Sequence, residues 1–408
     1  MPKLRFKDVI KDSYEMPDEV VIANIFDKVK NVNKDGRNKN VITNSAERGL
    51  IPQRDFFDKD IAVDGNTKKY TVIEKGDFVY NPRKSTTAPY GPFNCYNLEE
   101  PGIVSPLYSC LKPKDSSLTP YLLHYFSSPA WYSYIYHNGN QGGARHDRVG
   151  MTEDLLMGIP IMLPCKEERE KITDFLSLYD QRILVQRKKL DALENRRKGL
   201  LQQIFSQQLR FKADDGSEFS EWEETLLSEV LSERKGKSTG KEEVFSVSVS
   251  KGLVNQVEHL GRSFAAEDTS KYKVVCPGDV VYTKSPTGEF KWGIVKQSMI
   301  DKDVIVSPLY GIFTPKNEAI GFVIDAYFSS KVRAHNYLIT QVRKGAKNTI
   351  NVSNDEFLDN YIVLPTTEAE AQKIKDFIVA LDQQIQIEKD KLEAIKNVKK
   401  GLLQQMFV

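Results

Sequence analysis

The chain has 408 residues, enough for about two to four domains of roughly 100–200 residues each. Its 58 Lys and Arg residues nearly balance its 56 Asp and Glu residues, which argues against a protein that coats nucleic acid by bulk charge but says nothing about local basic patches. No apolar run reaches the ~18–20 residues of a membrane span, and the charged N-terminal segment is unlike a signal peptide. With only four scattered cysteines, the sequence predicts a cytoplasmic protein with reduced thiols and no membrane association.

The second half of the sequence repeats the first. Residues 189–205 read KLDALENRRKGLLQQIF and residues 391–407 read KLEAIKNVKKGLLQQMF, an offset of 202 residues. Four shorter motifs match in the same order: Leu4–Phe6 with Leu209–Phe211, Gly76–Tyr80 with Gly278–Tyr282, Val104–Tyr108 with Val306–Tyr310, and Phe126–Ser128 with Phe328–Ser330. Because so many matches in one order leave little room for chance, the sequence indicates a tandem duplication.

Each half is predicted to begin with a globular part and to end in a long helix. The globular parts contain short β-type runs separated by Gly, Pro, Asn and Asp turn signals, together with a helical stretch. The runs are Tyr70–Ile73, Asp77–Tyr80, Val274–Val275 and Asp279–Tyr282, the helical stretches are Pro120–Tyr136 and Ala319–Leu338, and the closing strands are Ile159–Pro164 and Tyr361–Pro365. After each closing strand, about 40 residues rich in Glu, Lys, Gln and Leu predict a long helix.

Apolar residues in these helices recur in steps of three and four, which is the 3.5-residue repeat of a coiled-coil seam. The seam positions are Ile172, Leu176, Tyr179, Ile183, Gln186, Leu190, Leu193, Arg197, Leu200 and Ile204 in the first helix, and Ile374, Ile378, Leu381, Ile385, Glu388, Leu392, Ile395, Lys399, Leu402 and Met406 in the second. A helix packed on its own domain would instead show a wider stripe with a period of 3.6 residues. The pattern therefore predicts that the two helices pair with each other.

The polar seam residues indicate the direction of this pairing. In a parallel pair Arg197 would meet Lys399, which brings two like charges together. In an antiparallel pair Arg197 meets Glu388 instead. Lys399 then meets Gln186, and every apolar layer stays matched. The predicted pairing residues are Ile183, Leu190, Leu193 and Arg197 on the first helix and Ile385, Glu388, Leu392 and Ile395 on the second.

These features together predict an α+β fold. It is a tandem duplication of a mixed α/β domain followed by a long helix, with the two helices forming an antiparallel coiled coil. The predicted segments are a first domain at 1–164, a first helix at 165–207, a second domain at 208–365 and a second helix at 366–408.

No motif carries enough residues to predict catalysis or metal binding. Residues 236–238 read GKS, the end of a phosphate-binding loop, but Leu231 stands where that loop needs its first glycine. Asp279, Glu289 and Lys291 resemble the arrangement of a metal-dependent nuclease, although the first half lacks a matching set. The five histidines lie far apart, without the spacing of a zinc site. A nuclease stays open only as an alternative.

Local charge instead predicts contacts with a polyanion. Residues 326–354 contain five Lys and Arg residues and no acid, and residues 78–98 contain two basic residues and no acid. Loops 138–149 and 341–350 lie at equivalent points of the duplication, and their basic and amide side chains can bond base edges. The predicted DNA-binding residues are Arg83, Lys84, Asn140, Gln141, Arg145, His146, Arg148, Lys284, Ser285, Lys291, Arg343, Lys344, Lys347, Asn348 and Thr349. Charge alone does not separate this interpretation from ordinary solvated turns.

Three kinds of motif that occur in both halves carry a resemblance to a known family. They are Ile161–Pro164 followed by Glu167–Leu184, Ile362–Pro365 followed by Glu368–Ile385, the endings Lys198–Phe205 and Lys400–Phe407, and the segments Leu4–Phe6 and Leu209–Phe211. With these motifs the chain resembles, over its entire length, the DNA-specificity subunits of Type I restriction–modification enzymes. One departure is visible: the family's Trp-Glu is present as Trp222-Glu223 in the second half, whereas the first half has Tyr14–Pro17 there.

The resemblance implies a protein without catalytic activity of its own. Each globular part would be a target-recognition domain that reads one half of a bipartite, asymmetric DNA site, and the helices would fix the spacer between the halves. The implied partners are double-stranded DNA, two methyltransferase subunits that carry S-adenosylmethionine and methylate adenine N6, and a motor–nuclease restriction subunit. This chain itself would bind no cofactor. A stand-alone Mg²⁺-dependent nuclease and a coiled-coil assembly protein without a DNA role are the alternatives.

Overall fold

The computed structural model describes residues 4–6, 17–55, 66–139, 147–257, 269–341, 343–344 and 350–407. The chain divides into two compact units. The first unit contains Met1–Lys189 and Lys389–Val408, and the second contains Leu190–Glu388. Each unit therefore holds one globular part together with segments of both long helices.

A four-stranded antiparallel sheet organises the globular part of the first unit. The strands of this unit are β1 (Asp18–Val21), β2 (Phe26–Lys28), β3 (Ile42–Ser45), β4 (Gly49–Pro52), β5 (Thr71–Ile73), β6 (Phe78–Tyr80), β7 (Phe93–Cys95), β8 (Gly102–Val104), β9 (Ser109–Pro113) and β10 (Pro160–Leu163). The sheet has the order β2-β9-β6-β7, and β1 pairs with β10, β3 with β4 and β5 with β8. The helices are α1 (Ile22–Ile25), α2 (Thr119–Ser127), α3 (Tyr132–Asn138) and α4 (Glu153–Met157), followed by the long helix α5 (Lys166–Phe205).

The second unit repeats this plan. Its strands are β11 (Glu223–Leu226), β12 (Leu231–Glu233), β13 (Phe245–Ser248), β14 (Gly252–Asn255), β15 (Lys273–Val275), β16 (Val280–Tyr282), β17 (Val295–Gln297), β18 (Val304–Val306), β19 (Gly311–Pro315), β20 (Arg343–Lys344), β21 (Ile350–Asn351) and β22 (Tyr361–Leu364). Its helices are α6 (Leu227–Val230), α7 (Glu318–Phe328), α8 (Lys331–Leu338) and α9 (Asn354–Leu358), followed by the long helix α10 (Glu368–Phe407). The sheet order β12-β19-β16-β17 matches β2-β9-β6-β7 strand for strand, which confirms the duplication.

The helical stretch predicted in each globular part consists of two helices. In the first unit Pro129 lies between α2 and α3, where its ring and missing N–H interrupt a helix. In the second unit Ser330 has an extended backbone, and its hydroxyl accepts a hydrogen bond from the Arg333 N–H at the beginning of α8. Local chemistry at these residues ends one helix and starts the next.

Both faces of each four-stranded sheet are buried. Because side chains alternate along a strand, Phe78 and Tyr80 of β6 pack into a cluster with α2, while Val79 packs on the other face with the β3–β4 hairpin. In β16, Tyr282 and Val281 divide between two clusters in the same way. The central strands are therefore apolar throughout, which explains their short unbroken β-type runs.

The turn before each central strand uses a glycine in a conformation that other residues rarely adopt. Gly76 has a φ of +94° and Gly278 a φ of +81°. The aspartates that follow them, Asp77 and Asp279, are both buried. The Gly-Asp pair of the repeated motif is thus part of the framework that starts the central strand.

The long helices α5 and α10 contain 40 residues each, as the sequence predicts. In the first unit the beginning of α5 and the end of α10 share one core cluster, with Leu176 and Leu403 among its members. In the second unit the end of α5 and the beginning of α10 share another, with Ile204 and Ile378 among its members. The antiparallel direction is therefore confirmed within each unit. Among the described residues, no helix is both long and apolar enough to cross a membrane.

The ion-pair partners on these helices differ from the predicted ones. In the second unit Arg197 Nη2 donates to Asp382 Oδ2 at 2.9 Å, so the predicted partner Glu388 is wrong. Asp382 lies six positions, about one and two-thirds turns, before Glu388. Its side chain flanks the seam and is 45% exposed, so the pair keeps contact with water and avoids the desolvation cost of a fully buried ion pair.

The same displacement occurs in the first unit, where Lys399 pairs with Asp180 instead of Gln186. Side-chain burial nevertheless follows the predicted seam: between Ile183 and Leu200 the seam residues are half-buried, and the residues between them are exposed. All of the predicted pairing residues are buried or half-buried, namely Ile183, Leu190, Leu193, Arg197, Ile385, Glu388, Leu392 and Ile395.

The repeated Leu-Arg-Phe segment is bound to the beginning of a long helix in each unit. Arg5 Nε donates to Glu168 Oε1 at 2.9 Å, and Arg210 Nη2 donates to Glu370 Oε1 at 3.2 Å. Both glutamates are buried. The phenylalanine after each arginine packs edge-on against a phenylalanine of the same helix, with ring centroids 5.7 Å and 5.3 Å apart. The motif therefore has a structural role.

Candidate nucleic-acid interface

One edge of each four-stranded sheet carries a loop with predicted DNA-binding residues. β6 ends at Tyr80, which pairs with Ser109 at the beginning of β9. β16 ends at Tyr282, which pairs with Gly311 at the beginning of β19. The loop after β6 and the turn before β9 therefore lie at the same end of the strands, as do the loop after β16 and the turn before β19. We call this end of each sheet the loop edge.

A buried tyrosine fixes the far end of the loop in each unit. The hydroxyl of Tyr80 donates to the carbonyl of Tyr90 at 2.7 Å, and the hydroxyl of Tyr282 donates to the carbonyl of Trp292 at 2.7 Å. Burial raises the pKa of both donor tyrosines, so they stay neutral donors. Neither tyrosine is among the predicted DNA-binding residues, although each one ends a copy of the repeated Gly-Asp-hydrophobic-Val-Tyr motif.

The same loop is closed by a close backbone approach. Gly91 follows Tyr90 and has a φ of +86°, and a Cβ at this position would lie 2.0 Å from the carbonyl oxygen of Asn81. The Asn81 side chain accepts a hydrogen bond from the Arg83 N–H at 3.0 Å. The two ends of the loop are therefore held together, and only a glycine fits between them.

In the first unit the loop brings three predicted DNA-binding residues together. The N–H of Lys84 donates to the carbonyl of Asp147 at 2.8 Å, and the backbone of Arg83 bridges that of Arg148. Arg83 Nε lies 3.6 Å from Asp147 Oδ2, and the Arg83 side chain is 59% exposed. Such an exposed ion pair is weak, so the guanidinium is available to a phosphate. Nε of Arg148 is buried and has no hydrogen-bond partner among the described residues.

In the second unit Lys284 has an unusual backbone conformation and an unusual side-chain pKa. Its φ is +52°, and a Cβ on Gly293 would lie 3.1 Å from its backbone nitrogen. Burial lowers the pKa of Lys284 to about 8, and the charge of Lys273 acts in the same direction. A phosphate beside this ammonium would raise the pKa again, so a DNA contact would bring full protonation. Ser285, the next predicted residue, is half-buried.

The end of the second loop combines cations with aromatic rings. Trp292 Nε1 donates to His335 Nδ1 at 3.0 Å, and the two rings stack with centroids 6.2 Å apart. Lys291 and Lys331 line the same open hollow, and Lys331 Nζ lies 2.8 Å from a carboxylate oxygen of Glu289. Basic side chains beside aromatic faces are typical of surfaces that bind nucleic acid.

Several predicted residues lie outside the described part of the chain. They are Asn140, Gln141, Arg145, His146, Lys347, Asn348 and Thr349. Arg343 and Lys344 form β20, whose backbone pairs with that of β21.

The geometry does not bring a nuclease site together. Asp279 is 1% exposed and accepts hydrogen bonds from Arg234 Nη2 at 3.0 Å and from the Thr314 hydroxyl at 3.0 Å. Glu289 and Lys291 line a different hollow from the one that Asp279 lines. Within the described ranges, no group of three or more His, Cys, Asp and Glu residues is placed to hold a metal ion. Asp279 is therefore a framework residue.

A comparison with curated proteins confirms the resemblance. The sequence is 26% identical over 272 residues to the specificity subunit of the Type I restriction enzyme MjaVIII from Methanocaldococcus jannaschii. The alignment covers 62% of this chain and 62% of the relative, so it spans less than two thirds of the relative's length. No model of a known protein family matches the sequence.

Solved structures share the fold. A structure that describes complex assembly and conformational transition of the type I R-M system superposes with a TM-score of 0.52 and 12% identity, over 97% of this chain and 99% of that one. The crystal structure of the Type I restriction–modification system S subunit from M. genitalium gives a TM-score of 0.50 and 13% identity, over 100% of this chain and 99% of that one. At these identities the likeness establishes the shared fold.

Proposed function

We propose that this chain is the sequence-specific DNA-binding subunit of a Type I restriction–modification complex. Its two globular parts would act as target-recognition domains, each reading one half of a bipartite, asymmetric DNA site. The long helices would fix the number of unread base pairs between the halves. The relative from M. jannaschii, a specificity subunit of a Type I restriction enzyme, supports this assignment.

The observation that carries the proposal is the duplicated loop edge with different loop sequences. Both units hold the loop with a buried tyrosine and a positive-φ glycine. The loops themselves read NPRKSTTAPYG at 81–91 and TKSPTGEFKWG at 283–293. One scaffold that presents two different basic loops is what a protein needs in order to read two different half-sites.

The partners follow from the same assignment. Two methyltransferase subunits that carry S-adenosylmethionine would dock on this scaffold and methylate adenine N6, and a motor–nuclease subunit would join them to cut unmodified DNA. This chain would contribute recognition alone, without a cofactor or a catalytic residue of its own. Because the substrate is chromosomal and incoming DNA, the complex would work in the cytoplasm.

Mapping N6-methyladenine across the genome, in cells with and without this gene, tests the proposal. We expect a bipartite motif that is methylated only when the gene is present. Replacing residues 20–160 with the first domain of another specificity subunit should change only one half of that motif. An unchanged methylation pattern after deletion of the gene would contradict the proposed function, and a change in both half-sites after the replacement would contradict separate reading.

A further inference from the structure

The repeated Val-Ser-Pro-Leu-Tyr motif contains one residue that the fold does not explain. In both copies the valine is fully buried, the serine hydroxyl accepts the leucine N–H at 3.3 Å, and the tyrosine packs against the core. The leucine side chain has no such role. Leu107 is 38% exposed, and Leu309 is 72% exposed, the highest value among the large apolar side chains of the described residues.

The strand register places these leucines at the loop edge. The turns that carry them, Ser105–Tyr108 and Ser307–Tyr310, immediately precede β9 and β19. The first residues of those strands pair with the tyrosines that end β6 and β16. The exposed leucines therefore lie beside the basic loops and not at the opposite edge of the sheet.

Lysines adjoin both turns. In the first unit Thr71 pairs with Val104 at the end of β8, so Lys69, two residues before Thr71, is near the turn, while the side chain of Lys68 lies beside Gly36. Both lysines are exposed, and neither forms an ion pair with any described residue.

In the second unit Lys271 is the equivalent of Lys69, whereas Ser270 stands in place of Lys68 and Lys273 in place of Thr71. Lys273 pairs with Val306, and its Nζ donates to the carbonyl of Tyr310 at 2.6 Å. Lys271 is exposed and forms no ion pair within the part of the chain that the structure describes. We call Leu107 with Lys69, and Leu309 with Lys271, the two turn patches.

The two turn patches are alike, whereas the neighbouring loops are not. Val-Ser-Pro-Leu-Tyr is identical in the two halves, and Lys69-Tyr70 corresponds to Lys271-Tyr272. A surface that is the same in both units suits the part of the ligand that is the same in both half-sites. In duplex DNA that part is the sugar–phosphate backbone.

We propose that the turn patches are a sequence-independent DNA contact, in which the lysines pair with phosphates and the leucine packs against deoxyribose at the groove wall. This inference rests on the proposed function and deepens it, because it separates residues that position the duplex from loops that read it. Unpaired lysines favour a polyanion over an apolar protein partner, and a rigid turn holds the leucine at low entropic cost.

Binding measurements on the full-length chain test the contact. The probes are a duplex with the mapped methylation sequence and a mixed-sequence duplex of the same length, each titrated over a range of salt concentrations. The variants are Leu309→Ala, Leu107→Ala with Leu309→Ala, and Lys271→Ala. Met299→Ala is the matched control, because Met299 is 60% exposed and follows β17, whose last residue pairs with the beginning of β16 at the opposite edge.

We expect the leucine variants to weaken binding to both duplexes by the same factor, about three- to tenfold, without changing the salt dependence. Lys271→Ala should reduce the slope of log K against log salt by about 0.9. The control should bind like the wild type.

If the leucine and lysine variants bind DNA as tightly as the wild type does, the proposed contact is wrong. The proposed function would not be affected by that result. Weakening on the methylation sequence alone would also overturn the contact, because the patch would then read bases. Unchanged DNA affinity with loss of methyltransferase co-purification would assign the patches to a protein partner instead. A wild-type chain that binds neither duplex would overturn both proposals.

Discussion

At the residue scale, the duplication places equivalent aspartates in two different electrostatic surroundings. The carboxylate of Asp279 accepts hydrogen bonds from the Arg234 guanidinium and the Thr314 hydroxyl. Asp77 is 2% exposed, and its Oδ1 has no hydrogen-bond partner among the described residues. Val29 stands where the second unit has Arg234, immediately after the equivalent strand. Burial therefore raises the pKa of Asp77.

We expect Asp77→Asn to raise the free energy of unfolding at neutral pH by about 1 kcal/mol, because a neutral amide is cheaper to bury than an unpaired carboxylate. A raised pKa in the folded protein means that protonation stabilises it. That contribution is complete below the unfolded-state pKa and is lost as the pH rises through the folded-state pKa. The advantage of the variant should therefore shrink in acid, which denaturant unfolding at neutral and acidic pH measures.

Asp279→Asn is the matched variant, and we expect it to change the free energy of unfolding in the opposite direction. It leaves the guanidinium of Arg234 without its carboxylate, so we expect a loss of about 1–3 kcal/mol in the free energy of unfolding. The same denaturant experiment at neutral pH measures it. Equal effects of the two substitutions would show that the arginine does not distinguish the two sites.

The two tyrosines that anchor the loops, Tyr80 and Tyr282, give a prediction about DNA recognition. Tyr282→Phe removes the hydrogen bond to the Trp292 carbonyl, which should cost about 1 kcal/mol of stability. The loosened loop should lower discrimination at one half-site only, measured as methylation of DNA with single substitutions in each half. Tyr80→Phe should act on the other half-site. Equal loss at both half-sites in either variant would show that the tyrosines act through stability alone.

Charge patterning predicted Arg83 and Lys84 as DNA-binding residues, and they lie in the loop after β6, but it could not predict the anchors of that loop. A tyrosine hydroxyl bonds a carbonyl ten residues further along, and no side chain in the sequence marks that acceptor. The left-handed backbone of Lys284 depends on the approach of Gly293, which is equally invisible in a pattern of residue types. Contacts made by the backbone are the part of the site that residue types do not encode.

At the scale of elements, the long helices were predictable because the apolar seam residues recur periodically within the sequence of each helix. The ion pairs were not, because they join residues from two helices and depend on side-chain reach. Arg197 extends to an acid beside the seam, where water still solvates the pair. Counting seam positions alone therefore gives the direction of pairing and misses the charged partners.

A double-mutant cycle distinguishes the observed partner of Arg197 from the predicted one. Arg197→Ala combined with Asp382→Ala should give a coupling free energy of about 0.5–1 kcal/mol, as expected for a partly exposed bidentate pair. Arg197→Ala with Glu388→Ala should give a smaller coupling. Thermal or denaturant unfolding of the four variants measures both cycles. A larger coupling with Glu388 would restore the register predicted from the sequence.

At the scale of the whole molecule, the segment Leu4–Phe6 contacts the end of α10 in the way that its equivalent, Leu209–Phe211, contacts the end of α5. The Leu4 N–H donates to the carbonyl of Gln405 at 3.1 Å, and the Leu209 N–H donates to the carbonyl of Gln203 at 3.1 Å. The first Leu-Arg-Phe segment therefore follows the end of α10 in the way that the second follows the end of α5. In the internal copy, residues 206–208 make the connection.

A circular permutant tests this closure. Joining Val408 to Met1 places four residues between the end of α10 and Leu4, against three in the internal copy, so the junction is long enough. The new ends can lie between Gln207 and Gln208, where Gln207 has a φ of +59° that a free end no longer requires. We expect the permutant to unfold within a few degrees of the parent and to direct methylation to the same sequence. A second permutant opened inside the buried strand β16 should fail to fold, because it breaks the centre of a sheet with two buried faces. If both permutants fail, the contact between Leu4 and α10 does not make the repeat continuous.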